Sequence, residues 1–497
     1  MKKHIIILFL GMFCLPIFMT AQEADVADTA SLEDSLFGGD EDTLVTEEQT
    51  RSNNPNAGLQ FQADLNKAAA ALESNKTRIG GGLASSLKLN YLWMDPYSKK
   101  ADYKKAFLDA DGTLKTHLDA HLFFDARPKE NLKLYGKFLF GFPFEKQLSG
   151  SATVPHELIP QSMRARYKEG VSLDLSVNGS PNIKIQELYT DFSVRDIAFF
   201  RFGKHAVKWG TGYFYSPADV INLSRIDPQD PEAEREGPVS LRTHIVIPQT
   251  QHNVWLYLLP PMQKDGFKPE YTAAAAKAEL LLGNWEWGIG GWYKYKTAPR
   301  LMTTLSGSIA GKVSVFAEGV FAWGSDYTYH KNDAAFTAYR EKDKPFFQAT
   351  AGASYFNTDA HISLACQYFY NGFGYAHTEV AHNLMEQAQA ALQQKNFAHP
   401  AIAAAQDVTQ MGHIGQHYIA FTVSQNKIGT EKVTASLFQQ FAFSEREGLT
   451  NLTLQWSIHP SLSLSTGPSF IYPLSAASKS KGSIGFNVGC KLGGGKF

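Results

Sequence analysis

From Gly81 almost to the last residue, apolar and polar side chains alternate with a period of two. Leu83, Leu87, Leu89, Tyr91 and Trp93 are set against Ser86, Lys88 and Asn90. Leu114, Leu118, Ala120, Leu122 and Phe124 interleave with Lys115, His117, Asp119, His121 and Asp125, and Leu132, Leu134, Phe138 and Phe140 with Lys133, Tyr135 and Lys137. Farther on, Trp285, Trp287, Ile289 and Tyr293 oppose Glu286, Lys294 and Lys296, and Ile484, Phe486, Val488 and Leu492 oppose Ser483, Gly485, Asn487 and Gly489. Because successive side chains of a strand point to opposite faces, each run has one greasy and one wet face. The runs reach roughly ten to fourteen residues, longer than sandwich strands and long enough for a tilted strand to cross a bilayer. This predicts an all-β fold: a transmembrane, antiparallel, up-and-down β-barrel of about 18 strands, with 16 to 20 as the range.

The connections sharpen this picture. Short turns fall at 127–130, 195–196, 251–253, 283–284, 311–312, 357–360, 426–430 and 459–460; between them lie variable connections, long at 95–111, 145–180, 211–238, 325–344 and 374–416. Alternation of short and variable connections puts all the turns on one rim and the loops on the other, as in outer-membrane barrels, where turns are periplasmic. An even strand count then leaves both termini periplasmic. Within 374–416, residues 380–394 have a helical pattern; His377 and His382 are five apart, which does not align two ligands on a helix face, so no metal site is expected.

Ahead of the barrel the pattern differs. Residues 1–21, with Lys2 and Lys3 before an apolar run, form an expected signal peptide, a better fit than a lipid anchor at Cys14. Residues 22–57 form an expected acidic, disordered periplasmic tail; 23–48 holds ten acids and no Lys or Arg. Without it and the leader, 45 bases face 38 acids, so the body is mildly basic. Residues 58–80 are Ala-rich and suggest a helical lead-in or plug before a barrel over 81–497. Beyond the leader no run of 18 uninterrupted apolar residues occurs, which excludes a bundle of membrane helices. Cys366 and Cys490 lie far apart and imply neither a disulfide framework nor a cysteine metal site.

Closing about 18 strands encloses a water-filled lumen, where inward charges act on solutes. The lumen-lining candidates are Lys115, His117, Asp119, His121, Lys133, Lys137, Arg201, Arg242, Glu286 and Lys294. For any one of them, the simpler reading is a charge that solvates the wall. Loop 211–238 is the third long connection and carries the constriction candidates Asp219, Arg225, Asp227, Asp230, Glu232, Glu234 and Arg235. Folded inward, its acids would face Arg201 and Arg242 across a transverse field; folded outward, Arg225 and Arg235 would pair with the loop's own acids.

Phe200-Arg201-Phe202-Gly203-Lys204, Lys208-Trp209-Gly210 and the stretch from Ser216-Pro217 to Ile221-Asn222 resemble a motif of porin-like outer-membrane channels related to the alginate-export group. The resemblance spans some 25 residues and implies passive diffusion of small hydrophilic solutes, with anionic ones as one class. The terminal Phe497 looks like the signal read by the barrel assembly machinery. No catalytic motif or cofactor-binding loop stands out, so neither enzyme activity nor a cofactor is expected. Expected partners are outer-membrane lipid, that machinery, small solutes and a homotrimer of this chain, with no nucleic acid. The alternatives are a fatty-acid-transporter-like plugged barrel of about 14 strands and a surface adhesin or antigen that presents loop 374–416.

Overall fold

Alternation closes on itself. The computed structural model describes residues 77–94, 96–97, 111–129, 131–143, 182–194, 197–261, 268–394, 396, 398–475, 478 and 482–496. In chain order the strands are β1 (Thr77–Met94), β2 (Asp111–Lys129), β3 (Leu132–Pro143), β4 (Asn182–Val194), β5 (Ala198–Lys204), β6 (Val239–Val246), β7 (Asn253–Leu259), β8 (Ala273–Leu282), β9 (Trp285–Tyr293), β10 (Arg300–Ile309), β11 (Val313–Trp323), β12 (Tyr329–His330), β13 (Ala338–Tyr339), β14 (Pro345–Asn357), β15 (Ile362–Asn371), β16 (His417–Gln425), β17 (Val433–Ala442), β18 (Glu447–His459), β19 (Leu462–Pro473) and β20 (Ser483–Lys496). The pair β12 and β13 is a small separate sheet; the others form one 18-stranded sheet. Each pairs antiparallel with its neighbours in the chain, and β1 pairs with both β2 and β20, so the sheet is a closed barrel without edges. The count of 18 departs from the 14 strands of the fatty-acid-transporter alternative.

Register settles which face is which. Leu258, Leu301, Trp323, Tyr293, Phe347 and Leu454 stand on the outer wall and are well exposed, whereas the side chains between them point into the barrel. An apolar exterior is stable only against an apolar phase, so this wall suits a bilayer. The barrel strands run from 7 residues in β5 and β7 to 19 in β2, a wider spread than the alternation suggests. The barrel begins at Thr77, ahead of Gly81; residues 58–76, the leader, the acidic tail and Phe497 lie outside the described residues. At the seam the register shifts between Leu83 and Ala84, and Gly493 opposite them has φ +91, where a Cβ would press on the Leu83 carbonyl. The glycine run before the C-terminus therefore continues the strand rather than ending it.

Two expectations about elements need correction. The turn at 195–196 and a loop starting at 211 leave a strand running from 197 to about 208, which is too long: β5 stops at Lys204 because Gly203 adopts φ +132, and the chain leaves the wall at His205. Gly237 lies against the His205 carbonyl where no Cβ fits, pinning the exit beside the return. The connection 374–416 holds two helices, α1 (Glu379–Gln393) and α2 (Pro400–Gln410), where the pattern suggested one. Ala381, Leu384 and Ala388 of α1 pack on Ala401, Ala404, Ala405 and Val408 of α2 and on Phe336 of the β12–β13 connection. His330 braces this cap, with Nδ1 to the Phe336 carbonyl at 2.8 Å and Nε2 to Asp407 at 2.9 Å.

The strain at Gly203 makes a direct prediction. Gly203→Val should cost about 1–3 kcal/mol through its left-handed φ and the clash with Leu188 O and Tyr189 Cα. The expected result is a lower unfolding temperature in the heat-dependent mobility shift of the folded barrel; an unchanged temperature would mean that the bend at 203 is not required.

Candidate functional site

After β5 the chain turns into the barrel instead of out of it. Between His205 and Pro238 the inner wall receives it on many sides. Glu234 pairs with Lys137 of β3, Trp209 packs on Tyr257 of β7 and Met302 of β10, Phe214 meets Phe438 of β17, and Gln229 accepts a hydrogen bond from Asn451 of β18 at 2.8 Å. A segment inside a barrel has no strand beside it, yet its buried N–H and C=O groups still need partners. Wall side chains supply them.

Glu318 on β11 is the principal anchor. Its Oε1 accepts from the backbone N–H of Thr211 at 2.5 Å and Gly212 at 2.6 Å and from Ser216 Oγ at 2.9 Å, while Oε2 accepts from Ala218 N–H at 2.9 Å. Gln367 on β15 is the second. Its Oε1 accepts from the N–H groups of Tyr213, Phe214 and Tyr215 at 3.1, 2.6 and 3.3 Å, and its Nε2 donates to the Tyr215 carbonyl at 2.6 Å. Gly210 and Gly212 are required here because a Cβ at 210 would collide with Ser216 Oγ and Glu318, and one at 212 with the Tyr215 carbonyl.

The rest of the loop is tied in the same manner. Trp209, almost wholly buried, donates its indole N–H to Met302 Sδ at 2.6 Å, and Lys277 of β8 donates to the Trp209 carbonyl at 2.9 Å while lying 5.2 Å from its ring. Asn222 clamps Val207 like a strand partner, accepting from its N–H at 2.8 Å and donating to its carbonyl at 2.5 Å. Phe214 and Tyr215 enter an apolar cluster with Phe369, Tyr418, Ala420 and Leu449; each such ring contributes roughly 1.5–3 kcal/mol on burial.

The loop's charges meet partners other than those a transverse field requires. Asp219 pairs with Arg235 at 2.5 Å and accepts from Asn222, and Glu232 accepts from the Tyr213 hydroxyl at 3.3 Å. Asp227 and Asp230 form a backbone bridge that closes a turn. Glu236 sits between Lys184 and Lys204, at 2.7 Å from each; burial pushes its pKa up, but the two ammonium groups outweigh this and hold it below the ordinary carboxylate value. Arg225 reaches the C-terminal end of α2, donating to the carbonyls of Met411 and Gln410 and to the Tyr327 hydroxyl at 2.9 Å. Cationic groups suit the carbonyl end of a helix.

The wall charges are distributed as follows. Arg201 pairs with Asp191 on β4 through two bonds of 2.7 and 2.9 Å and lies 4.0 Å from the Tyr189 ring, so the loop acids do not hold it. Lys133 pairs with Asp125 at 3.5 Å and lies 5.5 Å from the Tyr135 ring. His121 and Asp119 are on β2, opposite Leu139 and Gly141 of β3, and Glu286 on β9 opposes Leu281 and Ser306. Lys115 and His117 fall on the same face of β2, although their side chains are outside the described residues. Lys294 lies past the end of β9, in the rim loop that follows, because the strand stops at Tyr293. Arg242 stands beside Arg201 in register, 5.4 Å from the Trp255 ring, and its buried Nε has no hydrogen-bond partner among the described residues. His244 stacks on the same indole at 3.7 Å. Among the described residues, no group of three His, Cys, Asp or Glu is arranged to hold a metal ion.

The anchors Glu318, Gln367 and Lys277 escape sequence reasoning as anchors. Their parity marks them as inward, and Lys277 stands out as the one base in an alanine-rich strand, but nothing local says what each one holds.

No family model matches the chain, and neither does any curated protein. Among solved structures, OccAB1 of Acinetobacter baumannii aligns over 84% of this chain and 97% of its own, at 10% identity and a TM-score of 0.46. OccK11 (OpdR) of Pseudomonas aeruginosa aligns over 84% and 95%, at 7% identity and 0.43. OmpF of Salmonella typhi, in complex with daunomycin, aligns over 84% and 97%, at 7% identity and 0.38. At these values the barrel assignment rests on the strand register of this chain itself.

Two predictions follow from the anchoring. Glu318→Ala should free the 211–218 segment, leave four donors unpaired, cost about 3 kcal/mol of loop docking and speed amide exchange there; unchanged exchange would remove Glu318 as the anchor. The second concerns pH. His413 packs between Tyr215, Phe369 and Tyr418, and burial foremost, with Arg225 beside it, pushes its pKa down to about 3 from 6.5. An undocked imidazole takes up the proton first, so docking is strongest above about pH 6.5 and is lost progressively as pH falls toward 3. Amide exchange at 211–218, corrected for its intrinsic rate, should therefore rise several-fold from about pH 7 to 5, and His413→Phe should abolish most of that rise.

Proposed function

We propose that this protein is an outer-membrane channel through which small hydrophilic solutes diffuse passively, with its short-turn rim and both termini on the periplasmic side. The observation that carries this reading is a closed 18-stranded barrel, apolar outside and charged inside, whose third variable connection lies along the inner wall. A helical bundle cannot place polar side chains on alternate residues in this way, and a sandwich leaves two edges. A loop held inside a barrel narrows the route, so 205–238 sets the size of solute admitted and the wall opposite sets its charge.

A preference for anions rests on how the charges are paired. Asp219, Glu234 and Glu236 are each engaged by a cation, whereas the Arg242 guanidinium rests against an indole with Nε unpartnered among the described residues. Kinship with the alginate-export group rests on the 200–222 motif alone. In the structure the motif's Trp209-Gly210 and Ser216 belong to the loop's anchoring, which makes it a device for holding the loop rather than a polysaccharide site.

Planar-bilayer recording of the purified full chain tests the channel. Stepwise conductance is expected, and an electrically silent barrel would favour the adhesin or plugged alternative. Under a KCl gradient the reversal potential should indicate more chloride than potassium passing, and Arg242→Ala should lower that ratio about two- to threefold. An unchanged ratio would remove Arg242 from the selectivity of the pore.

A further inference from the structure

The outer wall is not uniformly convex. Across β7 to β11 it sinks into a notch of about 790 Å³, floored by Ala274, Ala276 and Gly291 and flanked by Leu258, Leu301 and Trp323. The register explains the notch: Leu258, Ala274 and Tyr293 form one outward row, and Leu256, Ala276, Gly291 and Leu301 the next, so small side chains sit between large ones. Such a volume falls within the ~300–1,000 Å³ of small-molecule sites. The notch opens on the exterior, away from the lumen loop, so it is separate from the site above.

Its upper edge is cationic. Tyr293 and Pro299 both line the notch, and the rim loop between them carries Lys294 and Lys296. Lys296 lies 5.2 Å from the Tyr295 ring and 6.0 Å from that of Tyr271, and among the described residues neither amine meets a carboxylate. Arg300, which also lines the notch, is by contrast engaged by Asp326. Apolar walls below two uncompensated ammonium groups match an amphiphile with an acyl chain and an anionic head.

We infer that the β7–β11 notch and the Lys294–Lys296 loop bind a phosphate-bearing lipid of the membrane leaflet on the long-loop side, chain in the notch and phosphate at the lysines. This inference goes beyond channel function but rests on the membrane reading of the barrel. A lipid held there would brace the wall next to the short strands β5 to β7.

Native mass spectrometry of the purified full chain, titrated with phosphatidylglycerol or phosphatidylcholine, tests the site. About tenfold more phosphatidylglycerol than phosphatidylcholine should remain bound. Replacing both lysines (Lys294→Ala with Lys296→Ala) should erase the discrimination between headgroups. Gly291→Leu should fill the notch and reduce binding of both lipids; a Cβ at 291 meets only Arg300 O at 3.4 Å and Leu301 Cδ2 at 3.6 Å, which is ordinary contact. Equal retention of the two lipids by the native chain, or unchanged binding by Gly291→Leu, overturns the proposal. So does an oligomer that Gly291→Leu dissolves, because the notch would then be a contact between copies. Conductance recorded in parallel keeps the channel separate: a conducting barrel without lipid preference refutes only this site, whereas a silent one refutes the channel.

Discussion

A polypeptide segment that enters a barrel must find hydrogen-bond partners for its backbone where no strand runs alongside, and this protein meets that constraint with two wall side chains. Glu318 and Gln367 together accept from six backbone N–H groups between Thr211 and Ala218. A carboxylate and a carboxamide can each accept several bonds, which is why side chains that stand on separate strands can hold a continuous loop. Several neighbouring features are arranged around the segment so held. The glycines at 210 and 212 let the backbone approach, Trp209 seats one end on β7 and β10, and Tyr215 seats the other among rings from β15 and β16.

This turns the usual placement of a hydrophobic core inside out. The outer wall is greasy because lipid covers it in the proposed setting, and the buried apolar clusters form where the loop meets the inner wall. The interior is consequently uneven. Part of it is dry and packed, and the remaining inward charges face whatever water is left. Pairing then matters more than formal charge: Arg201 is neutralised by its strand neighbour Asp191 and Lys137 by Glu234, while Arg242 rests against an indole with its Nε unpartnered among the described residues. In a site partly shielded from water, an uncompensated guanidinium weighs more than its share of the composition.

The loop is also coupled to the cap. Arg225 ends on the carbonyls that close α2, and a Cβ at Gly412 would occupy the place of its guanidinium. His413 meets Tyr215 edge-on, and Gln440 of β17 holds that tyrosine by its hydroxyl at 2.9 Å. The lumen segment and the helical pair therefore share one set of contacts, so loosening either weakens the other.

How much was legible in the residues follows from the range of each signal. Period-two alternation is local, and it alone determined the barrel and the rhythm of short turns and variable connections. The direction of 205–238, the early end of β5 at Lys204 and the choice of Asp191 rather than a loop acid for Arg201 were decided only by the tertiary structure. Tyr215 and Gln440 are 225 residues apart, and Glu318 stands about a hundred from the amides it accepts. Side-chain period tells which way a residue points, because that depends on its own strand. What it meets there depends on ring closure, which brings distant segments to the same depth of the barrel.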